Sequence, residues 1–319
     1  MNAPTVPSAE LDADALLAQL DTIHDEDPLR ALQMLRGLDL RTLPANRLPR
    51  VSFLLDHVLG EKFDLWPEAL AGQHVLVEQA GAGATPMILR HAAIAAQIAG
   101  DTASARAWTQ ALASGSDAPL ATAQALVSLG AVQFSVSRQD AESAGRLVLQ
   151  ALRPLAALHA AGGGLDAAFG AVTNNVASEL LERPLEDLSQ PDLRTALHLC
   201  AEHAQRFWRR AGTWLNRERA HYLCAMTANA LGQGVDGATQ ARAGLALLDE
   251  FDVERQENVD RAFLELELAM GLRLAQLPGR PEALERASTL ATAFGQDDQD
   301  RRFAERGARN DALAAHYGR

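Results

Sequence analysis

Five side chains able to bind a metal or act as acid, base or nucleophile crowd into one short run: His198, Cys200, His203, His221 and Cys224. If the helices on either side of Gly212 form an antiparallel hairpin, residues equidistant from 212 lie level. Cys200 then pairs with Cys224, and His203 with His221. On each helix the Cys and the His are three apart and share a face. That is a tetrahedral Cys2His2 pattern of the kind zinc selects. A second reading competes with it. Leu193, Leu197, Cys200, Ala204, Phe207 and Ala211 form an apolar stripe, in which Cys200 is one small buried member. The metal set Cys200, His203, His221 and Cys224 is therefore the lesser alternative, and the main expectation is no metal and no cofactor.

Other catalytic patterns are missing. The chain has no HExxH, no GxSxG and no kinase-like set, so the expectation is a protein that is not an enzyme, with no catalytic residues. "GQGVDG" (232–237) matches G-x-G-x-x-G in form, but a helical run precedes it, where the dinucleotide fingerprint requires a strand. Its glycines are read as a helix end and turn. "GAGAT" (81–85) lacks the Lys-Ser/Thr of a phosphate loop.

One further stretch stands out. "FWRRAGTWLNRERAHY" (207–222) holds Trp208 and Trp214, two of only four tryptophans, and 206–219 carries five arginines. Ala211-Gly212-Thr213 reads as a helix corner, with Gly212 as a left-handed C-terminal cap and Thr213 as the next N-cap. Arg209 and Arg210 then suit the last helical turn. Arg217 and Arg219 sit early in the following helix, where the dipole disfavours cations, and so are ligand-binding candidates.

Composition narrows the rest. The chain of 319 residues is 48% hydrophobic, 5% aromatic and carries a net charge of −12. Global disorder is excluded, and so is a general nucleic-acid binder, which needs a basic surface. Lys62 is the only lysine, as in products of GC-rich bacterial genomes. Two cysteines make no disulfide framework and point to a reducing cytoplasm. The acidic N-terminus does not resemble a signal peptide, and no run of 18 apolar residues predicts a membrane span.

These residues must be held by helices. Apolar positions recur at three- and four-residue spacing, and the breaks carry Gly, Pro, Asp or Asn. After a loose tail over 1–8, the pattern predicts helices near 9–24, 28–38, 48–62, 66–80, 85–99, 102–114, 118–137, 140–160, 165–182, 191–211, 214–232, 237–250, 253–276, 281–295 and 299–316. Short links make neighbours antiparallel. The expected fold is all-α: a superhelical stack of about seven αα-hairpins in one domain over 9–316. The final polar run "DDQDRRFAERGARND" reads as a cap on the last hairpin.

Three segments repeat loosely: 92–114, 129–154 and 226–248. Ala144, Val148, Ala151 and Pro154 follow the small–large–small–Pro plan of the second helix of the tetratricopeptide repeat, and Leu129-Gly130 is similar to its first-helix pair. The chain thus resembles that family, with irregular spacing, over about half its length. The resemblance implies a concave groove lined by first helices that holds a peptide or protein segment. In such grooves asparagine amides grip the peptide backbone, which makes Asn174, Asn175 and Asn229 candidates together with Arg217, Arg219 and His221. Groove arginines imply an acidic or carboxylate-bearing partner. The expected function is a non-enzymatic peptide-binding scaffold; the alternative is a peptide-sensing regulator. No nucleic acid and no membrane are expected as partners, and a homodimer is left open.

Overall fold

The computed structural model describes residues 13–157 and 163–318; the tail over 1–8 lies outside them. Every regular element among the described residues is helical. None of the helices is long and apolar enough to cross a membrane. By packing, the chain divides into two compact units between Phe134 and Ser135.

The first unit holds α1 (Ala13–Ile23), α2 (Pro28–Gly37), α3 (Leu48–Leu54), α4 (Trp66–Ala80), α5 (Pro86–Ala99), α6 (Thr102–Gly115) and α7 (Leu120–Gln133). The second holds α8 (Ala141–Leu152), α9 (Asp166–Leu181), α10 (Pro191–Ala211), α11 (Trp214–Ala230), α12 (Gly234–Phe251), α13 (Asn258–Ala275), α14 (Arg280–Ala291) and α15 (Asp297–His316). Helix ends follow the local chemistry. Asp27, Asp101 and Asp140 accept the backbone N–H three residues on, which satisfies a donor that the first turn leaves free. Proline occupies the first turn of α2, α5 and α10, where its missing N–H costs nothing.

Three predicted spans change. The 48–62 helix becomes π-helical over Leu55–Lys62; there Gly60 lies so close to Trp66 that a Cβ would stand 2.5 Å from the indole ring. The 140–160 helix stops at Leu152 and tightens to a 3-10 turn over Arg153–Ala157. The 253–276 helix starts at Asn258, because both Asp252 carboxylate oxygens hold the backbone N–H groups of Gln256 and Glu257 in a turn ahead of it.

The corner at 211–213 forms with one correction. Thr213 caps α11 in a reciprocal box with Asn216. Gly212 has φ −90° and ψ 157°, an extended backbone rather than a left-handed cap. The two tryptophans leave the corner in different directions. Trp208 lies over Gly170 of α9, and Trp214 stacks on Phe251 of α12 at 5.9 Å.

In the second unit successive helices pack on one another from α9 to α14, and alternate ones also touch: α8 with α10, α9 with α11, α11 with α13, and α13 with α15. A face built of odd-numbered helices follows directly. The glycines of "GQGVDG" serve this packing, not a nucleotide. A Cβ on Gly234 would stand 2.5 Å from the backbone N of Ala275, so α12 and α13 touch backbone to backbone there.

α15 lies against this odd-helix face. Arg306 Nε donates to Glu267 Oε1 at 2.6 Å, and Asn310 Nδ2 to the same oxygen at 3.1 Å. Arg309 bonds the carbonyls of Leu181 and Arg183 just past α9. Tyr317 Oη donates to Ala230 O at 2.8 Å. The polar C-terminal run is thus a cap, and it holds on through buried charged hydrogen bonds as well as apolar area.

Candidate functional site

The odd-helix face encloses a cavity of about 540 Å³. α9 contributes Asn174 and Ser178; α11 contributes Glu218, Arg219, Tyr222, Leu223 and Met226; α13 contributes Val259, Asp260 and Phe263. Gln296 and, from α15, Asp298, Gln299 and Arg302 close it. On each of α9 and α11 the lining positions are mostly four or eight apart, the spacing of one helix face.

Glu218 is the unusual member. It is fully buried, and neither carboxylate oxygen accepts a hydrogen bond. An ionised carboxylate left like this costs several kcal/mol, about 1–3 for each lost partner and more for a charge. The group responds by staying protonated. Burial first, and then the negative charge of Asp260, push its pKa up to about 9. In that state Glu218 donates its own proton toward Asp260, and one carboxylic acid and one carboxylate stand side by side. Burial also raises the pKa of the neighbouring Tyr222 phenol, and Tyr222 meets Phe263 edge to face at 6.1 Å.

The cationic groups of the cavity are already matched. Arg219 Nε donates to Asp260 Oδ2 at 3.0 Å, and its other end lies 4.0 Å from Glu257. Arg302 Nε pairs with Asp298 Oδ2 at 2.8 Å. With Glu218 ionised, the wall would carry an uncompensated negative charge. Of the arginines from which an acidic partner was expected, Arg219 lines the cavity with its Nε already on Asp260.

The six predicted binding residues do not share one site. Asn174 and Arg219 line the cavity. Asn175 is exposed beside it on α9. Arg217 and Arg219, two apart, point about 200° away from each other on a helix. Arg217 therefore faces α12, with its guanidinium 5.8 Å from the Phe251 ring centre. His221 follows it one turn on and pairs with Gln240 Oε1 at 2.7 Å. Asn229 is fully buried, and its amide donates to Glu267 O at 3.0 Å and Glu267 Oε2 at 2.8 Å. It ties α11 to α13 and cannot reach a ligand. Nothing in the sequence pattern marked Glu218, which sits in an Arg-rich run.

The Cys2His2 alternative is also corrected. Among the described residues these four do not converge on a common point. Cys224 Sγ points to Ala201 O at 3.5 Å, His221 is turned to Gln240, and His203 lies against Phe207. Cys200 is fully buried and its thiol pKa is raised by burial; burial pushes Cys224 up to about 12. Such thiols are inert members of the core.

No protein-family model matches this chain, and no curated protein matches it. The functional reading therefore stands on the cavity.

Proposed function

We propose that the second unit is a non-enzymatic peptide-binding module, and that its odd-helix cavity receives a partner segment carrying a lysine or arginine side chain. The observation that carries this reading is Glu218, a buried carboxyl without a donor partner on the wall of an open cavity. A cationic side chain supplies the missing donors and the missing charge at once. Tyr222 and Phe263 give aromatic faces for its aliphatic stem, and Asn174 offers an amide for the peptide backbone. The resemblance to tetratricopeptide repeats agrees with this use of alternate helices.

The test is fluorescence anisotropy of the full chain against labelled peptides that differ only in one residue, Lys, Arg, norleucine or Glu. The expected result is preference for Lys and Arg over norleucine by at least about tenfold, which is roughly 1.4 kcal/mol. Glu218→Gln should abolish that preference. Equal binding of all four peptides, or preference for Glu, overturns the reading. Because ligand binding ionises Glu218, affinity should rise with pH toward 9 and one proton should be released, read by calorimetry in buffers of different ionisation enthalpy.

A further inference from the structure

A second group of chemically competent side chains lies in the first unit, away from this cavity. His24 and Asp25 follow the end of α1, and His57 sits on the π-helical segment Leu55–Lys62. One ligand atom from each lies within 4.8 Å of the other two. The orientation of the rings is what matters. His24 Nδ1 faces Leu20 O at 3.1 Å, and His57 Nδ1 faces Glu61 Oε2 at 2.5 Å. Both are acceptors, so each Nδ1 carries a proton, and in a neutral ring the Nε2 lone pair is then directed outward. Those lone pairs then converge on a carboxylate: His57 Nε2 is 3.0 Å from Asp25 Oδ1, and His24 Nε2 is 3.4 Å from Asp25 Oδ2.

Acceptors facing acceptors repel unless a cation lies between them. Lys62 supplies part of that charge, with Nζ 3.0 Å from Asp25 Oδ1, but it contacts neither imidazole nitrogen. The remaining choices are an extra proton on each ring or a metal ion. The surroundings fit the metal. A carboxylate on the far nitrogen, as Glu61 is to His57, is the outer partner that metal-bound histidines regularly have. Phe53 stacks on His57 at 5.3 Å and meets His24 edge-on at 6.5 Å, which fixes both rings. The two histidines are mostly buried while Asp25 is open to solvent, so an ion has an entry path. The π-helical turn that carries His57 is a form frequently found at functional sites.

We propose that His24 Nε2, His57 Nε2 and the Asp25 carboxylate form a site for a divalent transition metal ion, with zinc as the best match to two imidazoles and one carboxylate. Three protein ligands leave a coordination position for water. Lys62 must release Asp25 when the ion enters, so it competes with the metal.

The test uses the full chain, stripped with chelator and titrated with zinc by calorimetry and with cobalt(II) by visible absorption. The expected result is one equivalent bound, with a cobalt spectrum free of thiolate charge-transfer bands. His24→Ala and His57→Ala should each weaken binding by about tenfold or more, and Glu61→Gln, which leaves every ligand in place, by about tenfold. Lys62→Met should tighten it, and His74→Ala should leave it unchanged. No saturable uptake, a thiolate band, or unchanged affinity in the His24→Ala/His57→Ala double variant overturns the proposal. Glu61→Gln and Lys62→Met, which shift affinity in opposite directions, decide the matter if a ligand variant fails to fold.

Discussion

Each unit buries a carboxyl group completely, Asp56 in the first and Glu218 in the second, and these two are treated in opposite ways. In the first unit Asp56 accepts from Gln73 Nε2 at 2.7 Å, and its other oxygen meets His91 Nδ1 at 2.9 Å. Gln73 in turn accepts from Ser52 Oγ at 2.7 Å. Burial raises the pKa of Asp56 and lowers that of His91, and Arg90 holds the other nitrogen of that ring. In the second unit Glu218 has no donor at all and lies buried in the lining of a cavity. A satisfied buried network specifies a core. An unsatisfied one on a cavity wall retains binding energy for something that arrives later.

The sharpest way to break this contrast is to remove each acid. Asp56→Ala should destabilise the protein by about 3–5 kcal/mol, because Gln73 and His91 lose their partner inside the core. Glu218→Gln should not destabilise it near pH 5, where the wild-type group is protonated in any case. Urea denaturation of both variants checks this, and a similar large loss for both would erase the distinction.

The pH dependence of stability separates them next. Glu218 has a folded pKa of about 9 against an ordinary value of 4.5. Between those values the folded state binds the proton that the unfolded state has lost. Its contribution is whole below about pH 4.5, falls by up to about 1.4 kcal/mol per pH unit through the window, and levels off above about 9. The comparison to make is wild type against Glu218→Gln from pH 5 to 9. The difference between them should follow this slope, and parallel curves would show that Glu218 does not titrate this way.

A smaller effect tests the neighbour. Asp260→Asn removes the negative charge that helps to hold Glu218 protonated, so the Glu218 pKa should fall by about one unit, roughly 1.4 kcal/mol, as followed by carboxyl carbon NMR. The smallest effect is expected at Asn174→Ala. The side chain is half-buried on the wall, and stability should change by less than about 0.5 kcal/mol while peptide affinity falls.

Much of the fold was legible because it rests on local rules. Helical spacing, Asp and Thr caps and first-turn prolines placed most of the helices within a few residues, and Ala144, Val148 and Ala151 are buried along α8. The breaks in that reading came where tertiary contacts intervened: Trp66 against Gly60 at the π-helical turn, and the Asp252 carboxylate ahead of α13. The candidate site was half legible. Asn174 and Arg219 were found from residue type and position, but Arg217, His221 and Asn229 were grouped with them although helical geometry turns them elsewhere.

By itself, then, the sequence determined the all-helical class and the absence of familiar catalytic motifs, since periodicity and caps act within a few residues. Tertiary structure alone decided which charges are paired. Arg219 meets Asp260 from 41 residues away, Glu267 gathers Asn229 from α11 and Arg306 and Asn310 from α15, and His24 and His57 meet on one carboxylate. Desolvation and hydrogen bonding depend on what lies across a helix interface. That is why Glu218, an acid that its neighbours in the chain do not mark, becomes the protonated group on the cavity wall.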